Sequence, residues 1–219
     1  MAETFVSHPY NPPDLQLPDY VPCLLPQSTI VGVYGVATLL VVFTIWIFSG
    51  RCSKITKTDR ILMCWWAFTG LTHIVIEGYF VFAPEFYKKK SPCYFAEVWK
   101  EYSKGDSRYV ARDSAVVTVE GITSVIEGPA SLLAVYAIAS KKPYSYTLQL
   151  AVSLGQLYGD LVYFITAYLE GDNFSASPYY FWLYYVGANC SWVVIPTLIA
   201  IRSWGKISEA FIRQKSKKY

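Results

Sequence analysis

Five long apolar stretches constrain this chain more than anything else in it. They run over about 29–49, 61–83, 114–139, 146–169 and 179–201, and are nearly free of Lys and Arg. About 20 such residues cross a hydrocarbon core of ~30 Å as a helix, and in lipid only helices or closed barrels satisfy the backbone. The pattern predicts an all-α, polytopic membrane protein with five transmembrane helices enclosing an intramembrane cavity. Only 16% of the 219 residues are Asp, Glu, Lys or Arg, against about 25% in soluble domains. That balance excludes a disordered chain, a coiled coil and a nucleic-acid binder.

The segments between the spans are too small for a soluble unit, so 1–219 reads as one membrane domain. The first 28 residues are rich in proline and are expected to be extended. They do not read as a signal peptide, so Thr29–Ser49 should act as the insertion signal. Residues 84–113 form a long loop with a short interfacial helix expected over Tyr94–Tyr102. That helix would turn Tyr94, Phe95, Val98, Trp99 and Tyr102 toward the membrane or the bundle.

Placing the N-terminus outside puts twelve bases and two acids in 50–60, 140–145 and 202–219, and seven bases with ten acids on the other side. The positive-inside rule then makes the N-terminus luminal and the C-terminus cytosolic, with a basic tail at 205–219. Lys215 and Lys217 stand where an endoplasmic-reticulum retrieval signal would place them, or form a basic tail beside anionic lipid. Cys23 and Cys93 share the luminal side and are candidates for pairing. No zinc-type spacing occurs, so no metal is expected.

A charged group in hydrocarbon costs at least ~2.5–3.5 kcal/mol on insertion scales and marks a functional site by default. The spans carry His73 and Glu77 in the second, Glu120 and Glu127 in the third, Asp160 in the fourth, and the amide Asn189 in the fifth. His73, Thr123, Asp160 and Asn189 all lie nine or ten residues from the luminal ends of their spans. Four helices thus place polar groups in one layer. His73 and Glu77 stack at a spacing of four, and Glu120, Thr123 and Glu127 share a face. Gln149, Gln156, Asp160 and Tyr163 form a third stripe, while Tyr185, Asn189 and Trp192 form a fourth. These faces should line a common cavity, although intramembrane polar groups also serve as clamps between helices.

No serine or cysteine triad is in register, and two histidines are too few for diiron or haem chemistry. Proton transfer and carboxylate electrostatics remain, in an apolar chamber ringed by Tyr and Trp. A carboxylate facing an aromatic wall suits a cationic intermediate, formed from an apolar substrate that arrives through the bilayer.

The stretches HIVIEGYF (73–80), EVWKEYSKGDSRY (97–109), VEGIT (119–123), GQLYGDLVYF (155–164) and NCSW (189–192) resemble the emopamil-binding protein family. The resemblance covers about His8 to Trp204 and has a plant-like flavour. It implies a five-span, commonly dimeric isomerase of the endoplasmic reticulum that moves a sterol double bond from C8=C9 to C7=C8. No cofactor is implied. A proton adds at C9, a cation forms at C8, and a proton leaves C7.

The family's catalytic residues match His73, Glu77, Glu120, Thr123, Asn189 and Trp192, and its pocket-closing tyrosines match Tyr102 and Tyr109. The implied roles make His73, oriented by Glu77, the proton donor to C9. Glu120 stabilises the cation, Thr123 and Asn189 position Glu120 or a water, and Trp192 supplies a wall. Either Glu77 or Glu120 takes the C7 proton. Asp113, Glu127, Asp160, Tyr163 and Tyr185 are expected around the substrate. Glu127 departs from the animal members of the family, where an apolar residue stands. Cationic amphiphilic amines should mimic the intermediate. A non-catalytic sterol- or amine-binding regulator of the same superfamily is the competing reading. A transporter is disfavoured because no internal repeat is visible.

Overall fold

The computed structural model describes residues 7–52, 55–171 and 173–216. Among them all regular structure is helical. Five helices are long and apolar enough to cross a membrane: Gln27–Arg51, Lys57–Phe82, Ser114–Ala139, Ser145–Leu169 and Pro178–Ser216. The chain is an integral membrane protein. Its fifth helix does not stop near 201 but continues through the expected tail to Ser216. Lys217, half of the retrieval pattern, lies outside the described residues.

Local chemistry sets the helix ends. The Asp59 N–H donates to the Thr56 hydroxyl at 3.1 Å, and that hydroxyl donates to the Asp59 carboxylate at 2.8 Å, starting the second span. The third span starts at Asp113, whose carboxylate accepts from the Val116 N–H at 2.9 Å. Pro178 opens the fifth, where its missing N–H costs nothing. Gly171, at φ +106°, turns the chain away after the fourth, a conformation that favours glycine.

The second and third spans cross at glycines. A side chain at Gly70 would meet the Gly128 carbonyl at 2.9 Å, and one at Gly128 would meet Ile74 at 2.7 Å and His73 at 3.2 Å. Such close backbone approach is how helices associate in lipid, and here it brings His73 against the third span. The first span packs mainly on the second and leaves Leu39, Leu40 and Phe43 turned outward, each more than 60% exposed.

The Tyr94–Tyr102 helix forms with the expected bounds. Trp99 points into the bundle and donates to the Ile76 carbonyl at 2.8 Å. The opposite, charged face is not solvated: Glu97, Lys100 and Glu101 are all buried. Residues 7–26 cover that face as a strap. The Tyr10 hydroxyl donates to the Lys100 carbonyl at 3.0 Å, and the Leu24 and Leu25 N–H groups both donate to Glu97. Lys100 pairs with Glu97 at 3.0 Å and Arg108 with Asp106 at 2.7 Å, so the buried charges are neutralised in place. The helix is therefore part of a folded cap over the bundle.

Cys23 and Cys93 do not pair; both are free thiols. Burial pushes the Cys23 thiol up to about 11, while the Cys93 thiol lies 3.5 Å from the Tyr79 hydroxyl.

Candidate functional site

Three of the spans widen into a π-helical turn where they carry their polar residues. These turns cover Thr72–Glu77, Thr123–Glu127 and Phe181–Ala188, the last running directly into Asn189. Single π turns inside α-helices occur frequently at functional sites. Nothing in residue spacing announced them.

His73 is held at both ring nitrogens. Its Nδ1 lies 2.6 Å from Glu77 Oε2, and its Nε2 lies 3.1 Å from the Gln156 amide nitrogen on the fourth span. The Trp192 ring lies against it, with centroids 5.0 Å apart. Glu77 Oε2 also accepts from the Thr123 hydroxyl at 2.6 Å, and the Glu77 and Glu120 carboxyl groups meet. The Tyr109 hydroxyl donates to Glu120 Oε1 at 2.6 Å. Burial, and then the adjacent Glu120, hold the Tyr109 phenol well above its ordinary value, so it remains a donor. Burial, and then Glu120, raise the Tyr102 phenol too; its oxygen accepts from the Asn189 amide at 3.2 Å.

These residues separate two chambers. The smaller, of about 60 Å³, is where His73, Thr123, Gln156, Asp160 and Tyr163 meet; none of the five lines the larger. The larger, of about 260 Å³, is mainly apolar and lies between the first span, the cap and the fifth span. It approaches the size of small-molecule pockets, about 300–1,000 Å³, while the smaller has no room for a steroid ring. Ile30, Val31, Tyr34, Ile76, Tyr102, Tyr184 and Ala188 belong to the larger chamber only. Glu77, Tyr109, Glu120, Asn189 and Trp192 line both and form the shared wall.

The expected residues sort against this geometry. His73, Glu77, Glu120, Thr123, Asn189 and Trp192 do converge, with Tyr102, Tyr109, Asp160 and Tyr163 around them. Three others are displaced. Asp113 is spent on capping the third span, and Arg108 pairs with Asp106. Glu127 lines neither chamber and packs onto the fourth-span backbone, so closely that a side chain at Gly155 would collide with its carboxylate. Tyr185 also lies behind the wall, where its carbonyl accepts from the Asn189 amide at 2.8 Å. Thr123 serves Glu77 rather than Glu120, because the π turn and the glycine crossing bring its hydroxyl to the second span. Gln156, on the same fourth-span stripe as Asp160, reaches His73.

A family profile for the expanded EBP superfamily (EXPERA) matches residues 94–203. The chain belongs to that family. It is similar to a probable 3-beta-hydroxysteroid-Delta(8),Delta(7)-isomerase of Oryza sativa subsp. japonica, 66% identical over 96% of each chain. A protein of the same name from Arabidopsis thaliana is 63% identical over 94% of this chain and 91% of its own. A protoglabretal synthase of Ailanthus altissima is 56% identical over 97% of each chain.

Proposed function

We propose that this family member is a sterol Δ8-Δ7 isomerase acting in sterol biosynthesis, and that its proton chemistry is done by the Glu77–Glu120 carboxyl pair. The relatives of highest identity quoted above carry the isomerase name. One observation carries the mechanism: the two carboxyl groups stand in the wall of the only one of these two chambers that approaches ligand size, and His73 does not. The role of direct proton donor, expected for His73, therefore moves one step forward to the pair.

Two carboxyl groups in contact in an apolar setting share one proton, since two adjacent anions repel. That proton is delivered to C9 of a Δ8-sterol lying in the larger chamber. The C8 cation that results faces the remaining negative charge of the pair and the Trp192 ring. Loss of a C7 proton to a carboxylate completes C7=C8, with no net change in protons. The apolar lining keeps water from capturing the cation as an alcohol.

The same wall suits a cationic amphiphilic amine, with its ammonium between Glu77, Glu120 and Trp192. Location in the endoplasmic reticulum with a luminal N-terminus and assembly as a homodimer belong to this reading. Arg51, Arg60, Lys141, Lys142 and Arg202 stand near the helix ends that the positive-inside rule makes cytosolic, which supports that orientation.

The test is turnover of a Δ8-sterol by the purified chain in lipid nanodiscs, with Glu120→Gln beside wild type. Conversion to the Δ7-sterol by wild type and its loss in the variant, with sterol still bound, is the expected result. Tight sterol binding without product by wild type would instead make the chamber the site of a non-catalytic regulator.

A further inference from the structure

The carboxyl pair needs a polarity, one group giving the proton and the other taking it, and nothing above assigns one. We propose that Gln156 sets it: as a positioning residue, it fixes the tautomer of His73 and so makes Glu77 the proton acceptor and Glu120 the donor. This rests on the isomerase reading.

An amide nitrogen only donates. With the Gln156 nitrogen 3.1 Å from His73 Nε2, that ring nitrogen must present its lone pair. The neutral imidazole then carries its proton on Nδ1 and donates it to Glu77 Oε2 at 2.6 Å. The Thr123 hydroxyl donates to the same oxygen at 2.6 Å. Two donors on one oxygen favour the carboxylate form. Glu120 is placed oppositely: its Oε1 accepts from Tyr109, and the hydroxyl of its carboxyl group is left to face Glu77 and the larger chamber.

The step balances. Glu120 gives its proton to C9, with the C8=C9 electrons forming the new C–H bond and leaving C8 cationic. Glu77 then removes a C7 proton, and those C–H electrons close C7=C8. Transfer of the proton from Glu77 to Glu120 across their contact restores the starting state. Turning the Gln156 amide over would present its oxygen to Nε2 and demand a proton there, as in the Nε2–H tautomer or the imidazolium. In the observed orientation that oxygen is buried with no hydrogen-bond partner among the described residues, and the amide nitrogen is the atom that meets His73. Besides Glu77, His73 has Glu127 of the third span, Asp160 of the fourth and the Trp192 ring of the fifth around it.

The chain has only two histidines, His8 and His73, so selective ¹⁵N-histidine labelling in nanodiscs reads the tautomer directly, with His8→Gln for assignment. Wild type should show a protonated Nδ1 and an unprotonated Nε2 at His73. An imidazolium, or a proton on Nε2 alone, overturns the proposal. Gln156→Leu should lose the fixed tautomer and ~10–100-fold in kcat, with KM unchanged. Gln156→Glu keeps the shape, serves if the first variant folds poorly, and should protonate both nitrogens. Unchanged tautomer and kcat in either folded variant also overturns it. Failure of wild type to turn over sterol refutes the isomerase reading itself, while the ¹⁵N signals still report whether Gln156 sets the tautomer.

Discussion

The two chambers share five residues and differ in almost everything else. The smaller is built from side chains that hold each other: His73 between Glu77 and Gln156, Thr123 on Glu77, Asp160 and Tyr163 beside them. The larger is built from apolar surface of the first span, the cap and the fifth span, and its first-span wall belongs to the least buried of the five spans. One chamber sets charge and the other accepts shape. Substitutions in the first should therefore change kcat, and substitutions in the second should change KM, because uniform binding and transition-state stabilisation separate in that way.

The sharpest break should come at the shared wall. Glu120→Gln and Glu77→Gln should each lower kcat by ~10³-fold or more while sterol binding, followed by displacement of a labelled sterol, persists. Next comes His73→Ala, which removes a support rather than the reacting group. It should lower kcat by about 10²-fold with KM unchanged in steady-state assays. Ala188→Leu adds bulk to the larger chamber alone and should raise KM by roughly 10-fold, as overpacking costs about 1–3 kcal/mol, with kcat near wild type. The smallest effect belongs to Tyr34→Phe. Its hydroxyl lies 3.3 Å from Thr72 across the first and second spans, and losing about 0.5–1.5 kcal/mol should raise KM a few-fold. A loss of kcat from Ala188→Leu or Tyr34→Phe equal to that from His73→Ala would erase the distinction.

Much of this was legible in the sequence. Span length and the common depth of His73, Thr123, Asp160 and Asn189 located the membrane helices and one polar layer. The His73–Glu77 pair followed from spacing within a single helix. Contacts between helices were not legible in the same way. Thr123 reaches Glu77 and Gln156 reaches His73 because Gly70 and Gly128 let two backbones meet and because π turns rotate the faces. Neither is a pattern of residue types along one helix. Glu97, Lys100 and Glu101 look like a solvated face until the 7–26 strap covers them. Asp113 looks like a site acid, but it occupies the position a capping residue needs. The fifth helix outruns its apolar stretch because charge, which ends a membrane span, does not end a helix.

The central claim is that a carboxyl pair in the shared wall gives a proton to the sterol and takes another. A single turnover of Δ8-sterol, after the protein has equilibrated in deuterated buffer, tests it most directly. The Δ7 product should carry one deuterium, at C9, at full occupancy in wild type. His73→Ala should deposit the same label more slowly, and Glu120→Gln should deposit none. Rapid product formation by Glu120→Gln with the C9 label intact, or wild-type product without that label, would contradict the account.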